Sequence, residues 1–418
     1  MERLDNSKLS PLQRHIVDKM AMAKRLAVVG GPGTGKTVLA MSGMGLGTHK
    51  DQVLLTYSKP LSLMIYGCNV NSNTIHSFCW NFARDIEIEL GDFSDEYEYE
   101  DNYYDALKQV INREYGYSST ESWPQWRKII SAYNRLSDEA KKNMRYDAIF
   151  VDEGQDLPNE AFRFLSLIAD RLIVTFDEAQ EVGNEYVMES AKITRKSSVD
   201  CNQILSELSL QDSFYDLIDN FRNTAAIERV AKLFYNNYGS NNFSLRVVSA
   251  NRPEGSKPKV IFTALNQQLF DGIADMAYQL NKQVGVIVPD WATFKTAKTF
   301  LDNAVARHII PENRLFYKFG TECNMNKKPE KNEITSLNQP GVFLVTYQTS
   351  KGMEFDDVYL LDCQKNQLQS PADKNRLYVA ATRAKETLTF VFNCSYYQST
   401  PILDIIKENE ECFDMEKR

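Results

Sequence analysis

Apolar residues in this chain fall into two patterns. Short apolar runs within 26–30, 53–56, 147–151 and 171–175 are rich in Val, Ile, Leu and Phe and bounded by polar or turn residues. Runs of that length predict strands buried on both faces. The second half repeats the pattern in "KVIFTAL", "VGVIVPD", "GVFLVTY", "DVYLLDC" and "TLTFVFN". Between these runs the apolar positions recur every three or four residues, as in "QLFDGIADMAYQL" and "ATFKTAKTFLDNAVARHI", which predicts amphipathic helices. Strand and helix signals that alternate this way predict parallel α/β sheets in both halves. Residues 79–145 break the alternation. There "YDALKQVINREY" and "PQWRKIISAYNRLSDEAKKNM" read as helices and no buried strand stands out, so a small helical insertion into the first sheet domain is expected. The polar stretch 318–341, rich in Asn and Lys, is expected to be a loop.

Composition narrows the class without naming a function. A chain of 418 residues can build two or three full cores. With 43% hydrophobic and 25% charged residues it has the balance of a globular protein. No apolar run is long enough to span a bilayer, and no signal peptide is expected at "MERLDNSKLS". The seven cysteines are scattered, with no C-x-x-C pair, which argues against a zinc site or disulfide framework and suits a reducing, cytoplasmic setting. A net charge of −8 argues against coating nucleic acid by charge alone. Much of the negative charge sits in "IEIELGDFSDEYEYED", residues 86–101, read as a solvated insertion rather than a docking site for a basic partner.

Chemistry enters at "VVGGPGTGKTVLA", residues 28–40. Gly30 to Thr37 fit G-x-x-x-x-G-K-[ST], between a predicted strand and a predicted helix. Glycines such as Gly33 and Gly35 let the backbone turn its N–H groups inward as an anion nest, and the helix N-terminus adds partial positive charge. Lys36 is then placed to neutralise β and γ phosphates, and Thr37 to hold Mg²⁺ through its hydroxyl. The second constellation is "IFVDEGQD", residues 149–156. Asp152, at the tip of a buried strand, can hold Mg²⁺, and its neighbour Glu153 can orient and deprotonate water.

Together these stretches resemble the superfamily 1 helicases of the UvrD/Rep type. The D-E-x-Q-D of that family stands here as Asp152, Glu153, Gln155 and Asp156. Upstream, "LSPLQRHIV" resembles its Q motif, "LLTYSKPLS" its motif Ia and "NTIHSF" its T-x-H-x-F element. Downstream, "VTFDEAQ", "DNFRNT", "VTYQTSKGMEFDDVYL" and "RLYVAATRAKETL" are similar to its third to sixth motifs. The set runs in the family's order from residue 9 to residue 388.

The resemblance implies two RecA-like P-loop NTPase domains with parallel sheets, the first over 1–215 and the second over 216–418, with ATP and Mg²⁺ in the cleft. It assigns Gln13 to the adenine edge, Phe221 to the adenine face, and Gly352 and Glu354 to the ribose. Gln180 would sense the γ-phosphate, while Arg222 and Arg383 would reach across to neutralise the transferring phosphoryl group. For the strand it offers Tyr57, Lys59, His76 and Phe78 from the first domain and Thr346 and Lys351 from the second. The implied activity is an ATP-driven translocase or helicase moving 3′ to 5′ on single-stranded DNA, in preference to RNA, with no membrane partner.

Three departures qualify this expectation. After Gln180 the chain reads "EVGNEYVMES", with Tyr186 in place of the family's Trp-bearing aromatic cluster. Val38 stands where relatives often carry an adenine-stacking Arg. Before the fifth motif, where relatives insert a large helical domain, only the stretch 318–341 intervenes. These features favour a rival expectation, an ATPase subunit that signals to a nuclease or other effector without processive unwinding.

Overall fold

The computed structural model describes residues 8–44, 51–57, 59–90, 125–177, 201–210, 213–235, 249–319, 322–323, 339–347, 349–368 and 371–416. Two parallel-sheet α/β units account for nearly all of them, as the alternation predicts. The first sheet has six strands: β1 (Arg25–Gly30), β2 (Gln52–Thr56), β3 (Ser72–Thr74), β4 (Tyr146–Val151), β5 (Ala169–Phe176) and β6 (Tyr215–Leu217). They lie in the order β3-β2-β4-β5-β1-β6, and every pairing is parallel. Ile149, Phe150 and Val151 are buried with Leu172, Ile173 and Val174 because helices cover both faces. The last strand ends at Leu217, just past the boundary at residue 215 expected from the sequence.

Order and register decide what meets at the sheet's C-terminal edge. Val174 of β5 pairs with Ala27 on one side and Val151 on the other. The loops after β1, β4 and β5 therefore emerge side by side, where open α/β sheets bind ligands. The helices that follow have local causes. α1 (Pro11–Met20) starts with a capping box, in which Ser10 accepts from the Gln13 N–H and the Gln13 side chain accepts from the Ser10 N–H, and Pro11 occupies the first turn. α2 (Lys36–Met44) leaves the phosphate loop and buries Leu39, Ala40 and Met41 against the sheet. α3 (Lys59–Tyr66) follows β2, and α4 (Ile75–Leu90) follows β3.

The insertion region is helical wherever it is described. Helix Trp126–Arg135 packs with α4 through Phe82 and Tyr133, and Ala140 of helix Asp138–Asn143 joins the same core. Each fully buried side chain of that size contributes about 1.5–3 kcal/mol, so the insertion extends the first core. The segment "YDALKQVINREY", residues 91–101 of the acidic stretch, Gln180 and Tyr186 lie outside the described residues.

The small pair β7 (Asp219–Asn220) and β8 (Ser249–Ala250) stands between the two large sheets in sequence. The second large sheet contains β9 (Lys259–Phe262), β10 (Gln283–Val288), β11 (Leu315–Phe319), β12 (Glu322–Cys323), β13 (Gly341–Thr346), β14 (Phe355–Leu360), β15 (Ala384–Phe392) and β16 (Asp414–Glu416). Their order is β12-β11-β13-β10-β14-β15-β9-β16, and only β11–β12 is antiparallel. This corrects the two ends of the loop expected over 318–341, of which residues 320–321 and 324–338 lie outside the described residues. Lys318 and Phe319 end a strand and Glu322–Cys323 turns back on it, the strand "LFYKF" being too polar at one end to read as buried. Among the described residues no helix is long and apolar enough to cross a membrane.

Candidate active site

The phosphate loop joins β1 to α2 and turns through Gly33 (φ 75°) and Gly35 (φ 88°), a left-handed backbone that glycine adopts without strain. A Cβ at Gly33 would stand 2.1 Å from Asn220 Oδ1, and one at Gly35 2.8 Å from Gln13 Nε2. Both glycines thus make room for neighbours as well as for the turn. Lys36 Nζ donates to the carbonyls of Gly30 (2.7 Å) and Gly31 (3.0 Å) and lies 3.8 Å from Asp177. Gln13 Nε2 donates to Thr34 O at 3.0 Å, fixing α1 to the loop.

Across the crevice β4 delivers Asp152 and Glu153. Asp152 Oδ2 accepts from Thr37 Oγ1 at 2.5 Å, and Oδ1 accepts from Thr175 Oγ1 at 2.6 Å and from the Glu153 N–H at 3.1 Å. Burial, then the neighbouring Glu153 carboxylate, raises the Asp152 carboxyl above its ordinary value. Glu153 has φ 59°, an uncommon conformation for a residue with a side chain. Its Oε2 accepts from Gln155 Nε2 at 2.7 Å, while Gln155 Oε1 accepts from the Asp177 N–H at 2.9 Å. Burial alone would raise Glu153; Lys351 and Lys36, with the Gln155 bond and Arg383, hold it below the ordinary value. It is therefore an ionised carboxylate at neutral pH.

The second sheet supplies the facing wall. Arg222 Nε donates to Glu354 Oε2 at 3.0 Å, and Lys385 Nζ lies 3.3 Å from Glu354 Oε1. Burial opposes the Glu354 charge, but Arg222 and Lys385 bring its carboxyl down to about 2. Arg383, only 1% exposed, donates from Nε to Val379 O and from Nη1 to Met353 O. Burial and then Arg222 push its guanidinium down to about 9, so it keeps its charge at neutral pH. Nearby on β15, Glu386 pairs with Lys282 at 3.0 Å.

Lys36, Thr37, Glu153, Arg222, Glu354 and Arg383 line one cavity of about 340 Å³ between the two sheets, together with Gln13, Phe221 and Gly352. That is within the usual range of small-molecule sites, about 300–1,000 Å³. Gly352 (φ 77°) packs where a Cβ would meet Leu61 of α3 at 2.6 Å. Sequence reasoning missed Lys8, Arg252 and Lys385, which also line the cavity, and Thr175, which fixes Asp152. Lys385 and Thr175 stood inside quoted motifs, whereas Arg252 lies in no motif. The oxygens of Thr37 and Asp152 form a hard donor set that could hold Mg²⁺, which takes one or two protein oxygens and completes its shell with phosphates and water.

The residues expected at a nucleic-acid strand divide. Tyr57 is exposed and meets His76 edge-on at 5.6 Å. Thr346 turns back on Thr349, with the two hydroxyls 3.0 Å apart. Phe78 corrects its expectation: it is 4% exposed and packs on Phe82 and Tyr146 inside the core, so it offers no face for stacking. Lys351 does likewise. Its ammonium is buried, 2.8 Å from both oxygens of Asp156 and 3.9 Å from Glu153. Burial would lower the Lys351 ammonium, and Asp156 and Glu153 lift it above its ordinary value. The Lys59 side chain lies outside the described residues.

A glycine phosphate loop after β1, two carboxylates after β4, and two arginines, Arg222 from the turn after β7 and Arg383 just before β15, define the P-loop fold of the two-domain RecA-like class. Family models match on both sides of the cleft: an AAA domain over residues 13–184 and a UvrD-like helicase C-terminal domain over residues 341–391. These matches support a UvrD-like superfamily 1 helicase. Among solved structures it is similar to the C-terminal domain of a possible DNA helicase from Lactobacillus plantarum WCFS1, at 20% identity and TM-score 0.30, over 47% of this chain and 98% of that one. It is also similar to the PRRSV helicase, at 12% identity and TM-score 0.38, over 91% of this chain and 54% of that one. No curated protein sequence matches.

Proposed function

We propose that the chain is an ATP-driven translocase or helicase on single-stranded DNA, hydrolysing ATP between domains formed by residues 1–215 and 216–418. One observation carries the reading: Lys36, Glu153, Arg222 and Arg383 converge on a single cavity between the two sheets. In this reading the backbone N–H groups of the Gly33–Gly35 turn and Lys36 bind the phosphates. Lys36 leaves its carbonyl partners at Gly30 and Gly31 for the better acceptor, a charged phosphate oxygen. Gln13 and Phe221 hold the base, and Gly352 and Glu354 the ribose. Thr37 and Asp152 hold Mg²⁺, which supplies neutralisation of phosphate charge. Glu153, ionised and oriented by Gln155, accepts a proton from the attacking water. Gln180, Arg222 and Arg383 stabilise charge on the phosphoryl group as it transfers.

Both sets of residues touch the nucleotide only when the cleft is closed, so turnover opens and closes it. Tyr57 and His76, with Lys59 and Thr346, would guide the strand across the two sheets, aromatic stacking contributing about 1–3 kcal/mol per base. The burial of Phe78 and Lys351 favours a second reading, in which a protein partner such as a nuclease or other effector regulates the ATPase and no processive unwinding follows. ATP turnover of the purified chain with no nucleic acid, single-stranded DNA of graded length, duplex DNA and RNA separates the two. Stimulation that grows with strand length supports translocation. Turnover indifferent to every nucleic acid would remove it and leave the partner-regulated ATPase.

A further inference from the structure

The turn that carries Arg222 is tied to the segment that carries Arg383 by a side chain with no part in the chemistry described so far. Asn223 is fully buried. Its Nδ2 donates to Thr382 O at 3.0 Å and to Ala384 O at 2.5 Å, the carbonyls on either side of Arg383. Its Oδ1 accepts from Asn220 Nδ2 at 2.9 Å. Asn220 Oδ1 in turn accepts from the N–H of Arg222 (2.9 Å) and of Asn223 (3.2 Å). Arg252 adds a second tie, donating from Nη1 to Arg222 O (2.8 Å) and Lys385 O (2.9 Å). On its other side the turn is anchored to the phosphate loop, where the Phe221 N–H donates to Gly33 O at 2.9 Å.

We propose that Asn223 is a positioning residue that yokes Arg222 and Arg383, so that the two guanidiniums meet the phosphoryl group as one unit. The physical need is plain. Two like charges directed at one small anion repel each other before it arrives, and side-chain packing alone would let them splay. Both hydrogens of the Asn223 amide are spent on the carbonyls of Thr382 and Ala384 that flank Arg383, and its acceptor is spent on the turn of Arg222. The bonds leave the two backbones no independent motion. The same chain of bonds reaches Gly33, so a nucleotide that shifts the phosphate loop moves both arginines together.

The inference rests on the ATPase reading. The full chain carrying Asn223→Ser keeps one donor where two stood. Turnover should fall about 10–100-fold, the cost of a small misplacement of reacting groups. Affinity for a fluorescent ATP analogue should stay within about threefold, since ground-state binding is not what the yoke supplies. Arg222→Ala combined with Asn223→Ser should be no slower than Arg222→Ala alone, because one arginine needs no yoke. Should Asn223→Ser fail to fold, Asn223→Asp keeps the acceptor toward Asn220, removes both donors and is read by the same split. Affinity, turnover and melting temperature falling together, or losses that multiply in the double variant, would overturn the proposal in favour of a structural asparagine. Wild-type chain without ATP turnover would remove the ATPase reading itself, whereas active wild type with an equally active Asn223→Ser would remove only the yoke.

Discussion

After β1 the first sheet turns through the glycine loop, and after β5 it places Asp177 3.8 Å from Lys36. After β10 the second sheet places Asp290 at the start of the helix Trp291–Ala306, and after the adjacent β14 it places Asp362. The two crevices share a topology and differ in chemistry. In the second, Lys365 Nζ sits 2.8 Å from Asp362 and 3.2 Å from Asp290, and Thr293 Oγ1 donates to Asp362 at 2.7 Å. One lysine bridges its two carboxylates, and its helix start is capped by its own Asp290 side chain, which accepts from the Thr293 N–H at 2.7 Å. The first crevice has an uncapped glycine turn and draws two further arginines from outside. In the proposed reading the same parallel architecture serves once as a binding site and once as a carrier that brings cations to its neighbour's site.

The difference can be tested from its strongest element downward. Arg383→Lys and Arg383→Ala should each cut kcat by about 10³-fold or more, since a lysine cannot fork onto two phosphoryl oxygens. Near-normal turnover in the Lys variant would make Arg383 a structural residue and return the second sheet to a passive role. Glu153→Gln should lose about 10²–10⁴-fold in hydrolysis while still binding nucleotide, because an amide cannot take the proton of water. Lys36→Ala should lose binding as well, and calorimetric titration with a slowly hydrolysed analogue tells the two apart.

The next effect is on stability. Glu354 titrates at about 2 in the folded chain against 4.5 for an ordinary glutamate. A carboxyl depressed by folding adds stability that is whole above about 4.5 and lost as pH falls toward about 2. Glu354→Gln should therefore flatten the fall in melting temperature across that window, and an unchanged slope would show that the Arg222–Glu354–Lys385 cluster adds nothing. The smallest effect is expected in the second crevice. Lys365→Met should leave ATP turnover intact and cost at most about 1 kcal/mol, since Lys365 is partly exposed and its pairs are screened. A large loss of turnover there would mean that the second crevice also meets the nucleotide or the strand.

Much of this protein was legible in one dimension. Buried parallel strands must read as apolar runs, so four of the first sheet's strands and five of the second's appear directly in the sequence. Phosphate binding by a backbone nest requires glycines and a lysine at fixed spacing, so Gly33, Gly35, Lys36 and Thr37 also announce themselves. Edge strands such as β12 and β16 did not, because a strand paired at one edge needs no continuous apolar run. Side-chain fate was least legible. A phenylalanine in "NTIHSF" and a lysine in "TSKGMEF" look the same whether they face a strand or an interior. Only packing put Phe78 against Phe82 and closed Lys351 onto Asp156. The yoke through Asn223 joins residues 159 and 161 positions apart, and no local pattern encodes a bond between two loops that the chain brings together only after both sheets have formed.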